Sequence, residues 1–350
     1  MPFAGLDYIS AGTKARALYG KLLTSEDYKS LLERKNVPEV ASYLKKNTVY
    51  SELLSEINEN DVHRGDLEVL FMKSLYDDFV KILYFIRGNA AEFIKVAFFM
   101  RREIEDLSML LSLIYTGRKT QLREGTMTFL ERYSTLDYNK LISSKSIDEL
   151  IHNLKGSKYY KALSFFADNK YQGNIFDMEM ALDYYFFTSV IRLKDKLLSG
   201  KDRKIADKVF GIEIDLLNIM LIYRCKKLFN LPKELTLNYV IPYWCYLRKP
   251  ELVRLAESYD VSEFKELVSK TYYGKIFKPD EENMWETNTM NFMYKFYKKL
   301  LKGSQMNIGA SIAYIHLKEI DIKNIITVIE GIRYSLPKDE IKRYLIGVNR

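Results

Sequence analysis

The feature that most constrains the fold is a heptapeptide written twice, EIDLLNI at residues 213–219 and EIDIKNI at residues 319–325. A degraded copy, EIEDLSM, stands at 103–109, so the three are spaced roughly 110 residues apart. A second element keeps the same order. DYKSLLERKNVPEVASYLKKNTVYSEL (27–53) lies over DYNKLISSKSIDELIHNLKGSKYYKAL (137–163) without a gap, which sets Asp27, Tyr28, Leu44 and Tyr50 on Asp137, Tyr138, Leu154 and Tyr160. VSEFKELVSKTYY (261–273) supplies the third copy with one deletion. Two elements recurring in one order predict three homologous units, residues 1–120, 121–233 and 234–350, built to bury one another's faces.

The units read as helix almost throughout, and the fold class expected is all-α. Only 7 Pro and 16 Gly punctuate 350 residues. Segments such as LEVLFMKSLYDDFVKILYFIR (67–87) place apolar residues at three- and four-residue steps. No Asn-Gly or Asp-Gly hairpin signal occurs. Pro38, Asp148 and Ser262 each precede a glutamate, where a cap or first-turn proline followed by an acid suits a helix N-terminus. Each unit is expected to carry a short helix ending at the tyrosine, then a longer amphipathic pair, then the E-I-D segment.

From Ile214 to Tyr223 the chain is apolar nearly all round, the mark of a helix buried on most sides. Within it, Asp215 and Asn218 stand one helical turn apart. Two roles fit. Asp215, Asp321 and Glu105 cap a fresh helix with Asn218, Asn324 and Ser108 at its third position, or each pair forms a polar stripe on a buried helix that bonds a neighbour. Both roles are structural, because acid–base catalysis needs one cleft rather than three equivalent places.

No catalytic, cofactor or metal motif emerges. His63, His152 and His316 are isolated, and the His316-x-x-Glu319 step has no further ligand nearby in sequence. Phosphate-binding glycine loops, dinucleotide fingerprints and nucleophile elbows are missing, so no cofactor and no direct nucleotide are expected. Two cysteines, Cys225 and Cys245, suit small buried hydrophobes rather than a disulfide framework. The longest charge-free run, Gly303 to Leu317, is too short and polar to span a bilayer, and MPFAGLDYISAGTKAR lacks the order of a signal peptide, so a cytoplasmic chain is expected.

Charge and aromatic content point to surfaces. The 54 basic and 46 acidic residues leave +8, which permits anionic partners without identifying one. The densest basic stretches are 192–204 and 295–302, and Lys295, Lys298, Lys299 and Lys302 are the candidate docking charges. The 27 Tyr and 19 Phe suit both core packing and broad, partly wet interfaces.

Taken in order, AGTKARALYGKLLTSEDYKSLL at the start, ASYLKKNTVYSEL after it, EIDLLNIMLIYR in the middle and YIHLKEIDIKNIITVIEGIRYSLPKDEIKRYL at the end resemble the C subunit of the archaeal and bacterial V-type (A-type) ATPases, whose eukaryotic counterpart is the d subunit. The resemblance covers essentially the whole chain. It implies a funnel-shaped, all-helical protein with three units around a pseudo-threefold axis. It also implies a non-catalytic coupling component, peripheral on the cytoplasmic face of the membrane, which joins the central shaft of the soluble ATP-driven motor to a membrane proteolipid ring for proton or sodium transport. The alternative from the residues alone is a helical repeat protein that binds nucleic acid through its basic and tyrosine faces.

Overall fold

A computed structural model of the chain describes residues 4–58, 62–118, 134–167 and 174–348. Among the described residues it is all-helical, with no strand. In chain order the helices are α1 Ala4–Tyr19, α2 Ser25–Leu32, α3 Val37–Asn47, α4 Arg64–Leu83, α5 Gly88–Tyr115, α6 Tyr138–Ser143, α7 Ile147–Asn153 and α8 Tyr160–Leu163. They continue with α9 Ile175–Leu197, α10 Gly200–Lys227, α11 Lys233–Tyr239, α12 Lys249–Glu257, α13 Val261–Ser269, α14 Trp285–Gly303, α15 Gly309–Arg333 and α16 Lys338–Tyr344. Short helices followed by two long ones recur along the chain, the long pairs being α4 and α5, α9 and α10, and α14 and α15.

Local chemistry explains where these helices begin. α3, α7 and α13 are capped by Asn36, Ser146 and Asp260, whose side chains accept from the N–H groups of Glu39, Glu149 and Glu263. Each glutamate reaches back to the amide before the cap, that of Lys35, Lys145 or Tyr259. The caps therefore stand two residues before Pro38, Asp148 and Ser262, which lie inside the first turn. The glutamate is the right signal, but at the third helical position it calls for a cap farther upstream.

The long helices end alike as well. Gly117, Asn230 and Ser335 adopt positive φ values of 68°, 47° and 55° just beyond α5, α10 and α15. The next amide then folds back onto the last turn, Arg118 to the Leu113 carbonyl at 2.9 Å, Leu231 to Cys225 at 3.0 Å and Leu336 to Gly331 at 2.8 Å.

The chain packs as two compact units, one of residues 1–91 and 276–350 and the other of residues 92–275. In the first, α15 is the central element, with α1, α4 and α14 packed against it. It is buried over most of its circumference, from Ala310 and Ile312 through Leu317, Ile320 and Ile325 to Ile329. Its Gly331 permits the close approach of α16, because a Cβ there would drive into the Ile341 side chain. In the second unit α10 has the central place, contacted by α9, α11, α12 and α13. Gly211 on α10 meets Cys245 so closely that an added Cβ would lie 2.9 Å from the Cys245 Cβ. Cys225 is buried and both cysteines are free thiols.

Candidate functional site

The E-I-D segments lie inside long helices, not at their starts. α10 runs unbroken through Asp215 and Asn218, and α15 through Asp321 and Asn324. The capping role is thereby excluded, and the polar stripe is what the structure contains. All four side chains are buried. The two asparagines make the same pair of bonds. The Asn218 amide donates to the Ile241 carbonyl at 3.0 Å and its oxygen accepts from the Ile241 N–H at 2.9 Å. Asn324 does the same with Ile346, both bonds at 2.8 Å.

The aspartates gather donors. Asp215 accepts from the backbone amides of Cys245, Tyr246 and Leu247 at 3.2, 2.7 and 3.2 Å, and from the Tyr273 hydroxyl at 2.7 Å. Asp321 accepts from the hydroxyls of Tyr28 and Tyr50 at 2.6 and 2.9 Å and from the Leu23 amide. Lys318, one turn away on α15, donates to the Tyr50 hydroxyl at 2.9 Å with its ammonium 4.2 Å from the ring centre. Burial raises the Asp215 and Asp321 carboxyls and lowers the Lys318 ammonium, because each charged form loses its hydration. The hydrogen bonds and the Lys318 charge oppose that penalty at Asp321.

The first copy occupies a different register from the one its spelling suggests. Glu105 is half exposed and paired with Arg102 at 2.7 Å, and Ser108 is only partly buried. The buried acid on α5 is Glu103, which accepts from the hydroxyls of Tyr159 and Ser134 and pairs with Lys158 at 2.7 Å. Three residues on, Asp106 accepts from the Tyr138 hydroxyl at 3.1 Å. Glu103 and Asp106 thus correspond to Asp215 and Asn218 and to Asp321 and Asn324.

Sequence reasoning also misses which tyrosine matters in the second copy. Tyr159, not Tyr160, makes the bond that Tyr50 and Tyr273 make. A shared turn identifies it, since the amides of Tyr50, Tyr159 and Tyr273 each donate at 3.2 Å to a hydroxyl two residues earlier, on Thr48, Ser157 and Thr271. Each acid therefore takes its tyrosine from the next stretch of chain: Glu103 from Tyr159, Asp215 from Tyr273, and Asp321 back from Tyr50.

Of the candidate docking charges on α14, Lys295, Lys299 and Lys302 are exposed. Lys298 is half-buried beside the Tyr294 ring and borders a cleft of about 320 Å³ lined also by Thr24, Tyr28, Asp321 and Asn324. In the other basic stretch Arg192, Lys196, Lys201, Arg203 and Lys204 lie at least partly in solvent, but Lys194 is buried, bonded to Asp207 and to the Tyr243 hydroxyl at 3.0 Å. His316 pairs with Glu319 at 2.9 Å and stacks on Tyr297, a local packing arrangement. Among the described residues no group of three or more metal-ligating side chains converges, and no helix is long and apolar enough to cross a membrane.

A profile of the ATP synthase (C/AC39) subunit family matches residues 11–344. Individual relatives are similar along nearly their whole length. The A-type ATP synthase C subunit of Methanosphaera stadtmanae is 24% identical over 97% of this chain and 88% of its own. Its namesake from Methanobrevibacter smithii is 25% identical with the same coverage, and that of Methanosarcina barkeri is 26% identical over 98% of this chain and 93% of its own.

Proposed function

The chain belongs to the ATP synthase (C/AC39) subunit family, and from that premise we propose that it is the non-catalytic coupling component of a rotary V/A-type ATPase, a socket joining the central shaft of the ATP-hydrolysing part to the membrane proteolipid ring. The observation that carries the reading is the family match over residues 11–344, nearly the whole chain. Its partners are the shaft subunits and the ring, and its place is peripheral, on the cytoplasmic face of the membrane. Three units, 1–120, 121–233 and 234–350, form part of the proposal, supported by the recurring caps, helix ends and acid–tyrosine bonds.

A part that passes torque must resist shear. Close-packed helices whose buried polar groups are bonded in fixed geometry deform little, and the acid–tyrosine and asparagine–peptide bonds tie long helices to short segments in that way. Exposed lysines contribute little to folding, about 0 to 1 kcal/mol for an ion pair, but they steer and orient a partner.

The test reverses the exposed Lys295, Lys299 and Lys302 to Glu together. The melting temperature stays nearly unchanged, while ATP-driven ion transport in reassembled vesicles falls and ATP hydrolysis by the soluble part persists. The loss is largest at low salt, where screening is weakest. Full transport by the folded variant would place these lysines in water alone. Retention of the wild-type chain on nucleic acid at physiological salt, without binding to ring or shaft, would overturn the coupling role itself.

A further inference from the structure

The three acid–tyrosine joints are alike in chemistry and unlike in connection. Glu103 and Tyr159 stand 56 residues apart and Asp215 and Tyr273 stand 58 apart, whereas Asp321 and Tyr50 are separated by 271. Chain entropy opposes closure more strongly as the intervening chain lengthens, so the joint on α15 gains least from connectivity. Its tyrosines arrive on residues 20–54, a segment held to α15 and α16 by packing and by the Glu33–Lys338 ion pair. Among the described residues, every donor to the Asp321 carboxylate comes from this segment: the Leu23 amide and the hydroxyls of Tyr28 and Tyr50. Asn324, one turn on, bonds the Ile346 peptide instead. The joint on α15 thus has two halves, and one is free to leave without the other.

α1 leads directly into that segment and is fixed by a charged side chain. Arg16 donates through Nε to the Leu301 carbonyl at 3.1 Å, and its guanidinium donates also to the Ser304 carbonyl. Both carbonyls lie at the end of α14, where a helix leaves carbonyls without an intrahelical partner and its dipole favours a cation. Gly12, one turn before Arg16, makes the room: a Cβ there would lie 3.0 Å from the guanidinium and 3.6 Å from the Ala310 Cβ on α15. Ala11 and Ala15 are buried on the same helix, which packs against α15.

We propose that α1 is a clasp closed by Arg16 on the end of α14, and that its release uncovers Asp321 by freeing α2, α3 and Tyr50 together while the joints on α5 and α10 stay shut. Helices of 8 and 11 residues do not persist undocked, so release of α2 and α3 registers as amide exchange. The device is independent of the coupling role proposed above, since it concerns the internal contacts of one compact unit.

The experiment is native-state hydrogen exchange on the full chain and on Arg16→Met, which keeps the apolar stem and removes the donors. Losing two charge-assisted bonds raises exchange throughout residues 25–54 by about 10- to 100-fold. The amides of α12 and α13 and the Ile346 amide keep their wild-type rates. Arg16→Lys, which restores the cation without the fork, recovers part of the protection. A second readout needs no variant. In wild type at low urea, the amides of α1, α2 and α3 converge on one opening with one urea dependence, below that of α10 and α15. Acceleration by Arg16→Met that is absent, confined to α1, or equal in α12 and α13 would overturn the proposal, as would α2 and α3 opening in wild type while α1 stays protected.

Discussion

Replacing Asn324 with Leu tests whether the polar stripe of α15 holds the chain beyond α16. The substitution keeps the branched shape of the side chain, with two methyl groups in place of the amide oxygen and nitrogen, so the main loss is one of bonding, with some crowding added. Asn324 and Ile346 are each only 3% exposed, and no water replaces the two bonds that the amide makes to the Ile346 peptide. Stranding a buried N–H and a buried C=O costs about 1 to 3 kcal/mol each. The Tyr28 hydroxyl also loses its bond to Asn324. Against this, a buried leucine returns at most about 1.5 to 3 kcal/mol, and only part of that beside Asp321. The net is a destabilisation of about 2 to 4 kcal/mol. For a 350-residue chain that corresponds to a fall in melting temperature of about 3 to 6 °C. The assay is calorimetric unfolding together with hydrogen exchange at the Ile346 amide, which should lose its protection. Lys323→Leu, an exposed neighbour on the same helix, serves as control and stays within about 0.5 kcal/mol of the parent. An Asn324→Leu chain with parental melting and a protected Ile346 amide would refute the role assigned to the stripe.

Two further outcomes follow from the backbone. Ser335 holds a strained left-handed conformation at φ 55° beyond α15, so Ser335→Gly stabilises the chain by up to about 1 kcal/mol, read as a rise in urea midpoint; an unchanged or lower midpoint contradicts the strain argument. Gly331→Ala gains about 1 kcal/mol of helix propensity but drives a Cβ into Ile341, for a net loss of about 1 to 2 kcal/mol; in an Ile341→Ala background the same change becomes stabilising, and a double-mutant cycle without that reversal excludes the contact as the cause.

The sequence by itself determined what depends on near neighbours. Helix content follows from apolar spacing and scarce breakers, and the all-helical chain confirms it. The helix starts were legible to within two residues, because the glutamates of α3, α7 and α13 sit in the first turn whichever residue is the cap. The D-x-x-N spacing on α10 and α15 marked structural polar pairs but left two roles open, a helix cap or a buried stripe, and the unbroken helices chose the second. Only the tertiary structure decided which groups satisfy them. Asp321 is answered by Tyr28 and Tyr50, near the other end of the chain, and no local pattern specifies a partner so distant. Tertiary packing also chose Glu103 over Glu105, although the spelling E-I-E-D favoured the latter. Residues two apart on a helix face nearly opposite ways, so only one can point inward, and the side facing Tyr159 is a property of the packed helix rather than of its sequence. Likewise Tyr159 rather than Tyr160 reaches that acid, because the stretch from the helix cap to the tyrosine is one residue shorter in the second copy, Ser146 to Tyr159, than in the first, Asn36 to Tyr50, a difference that leaves apolar periodicity untouched and moves only the hydroxyl.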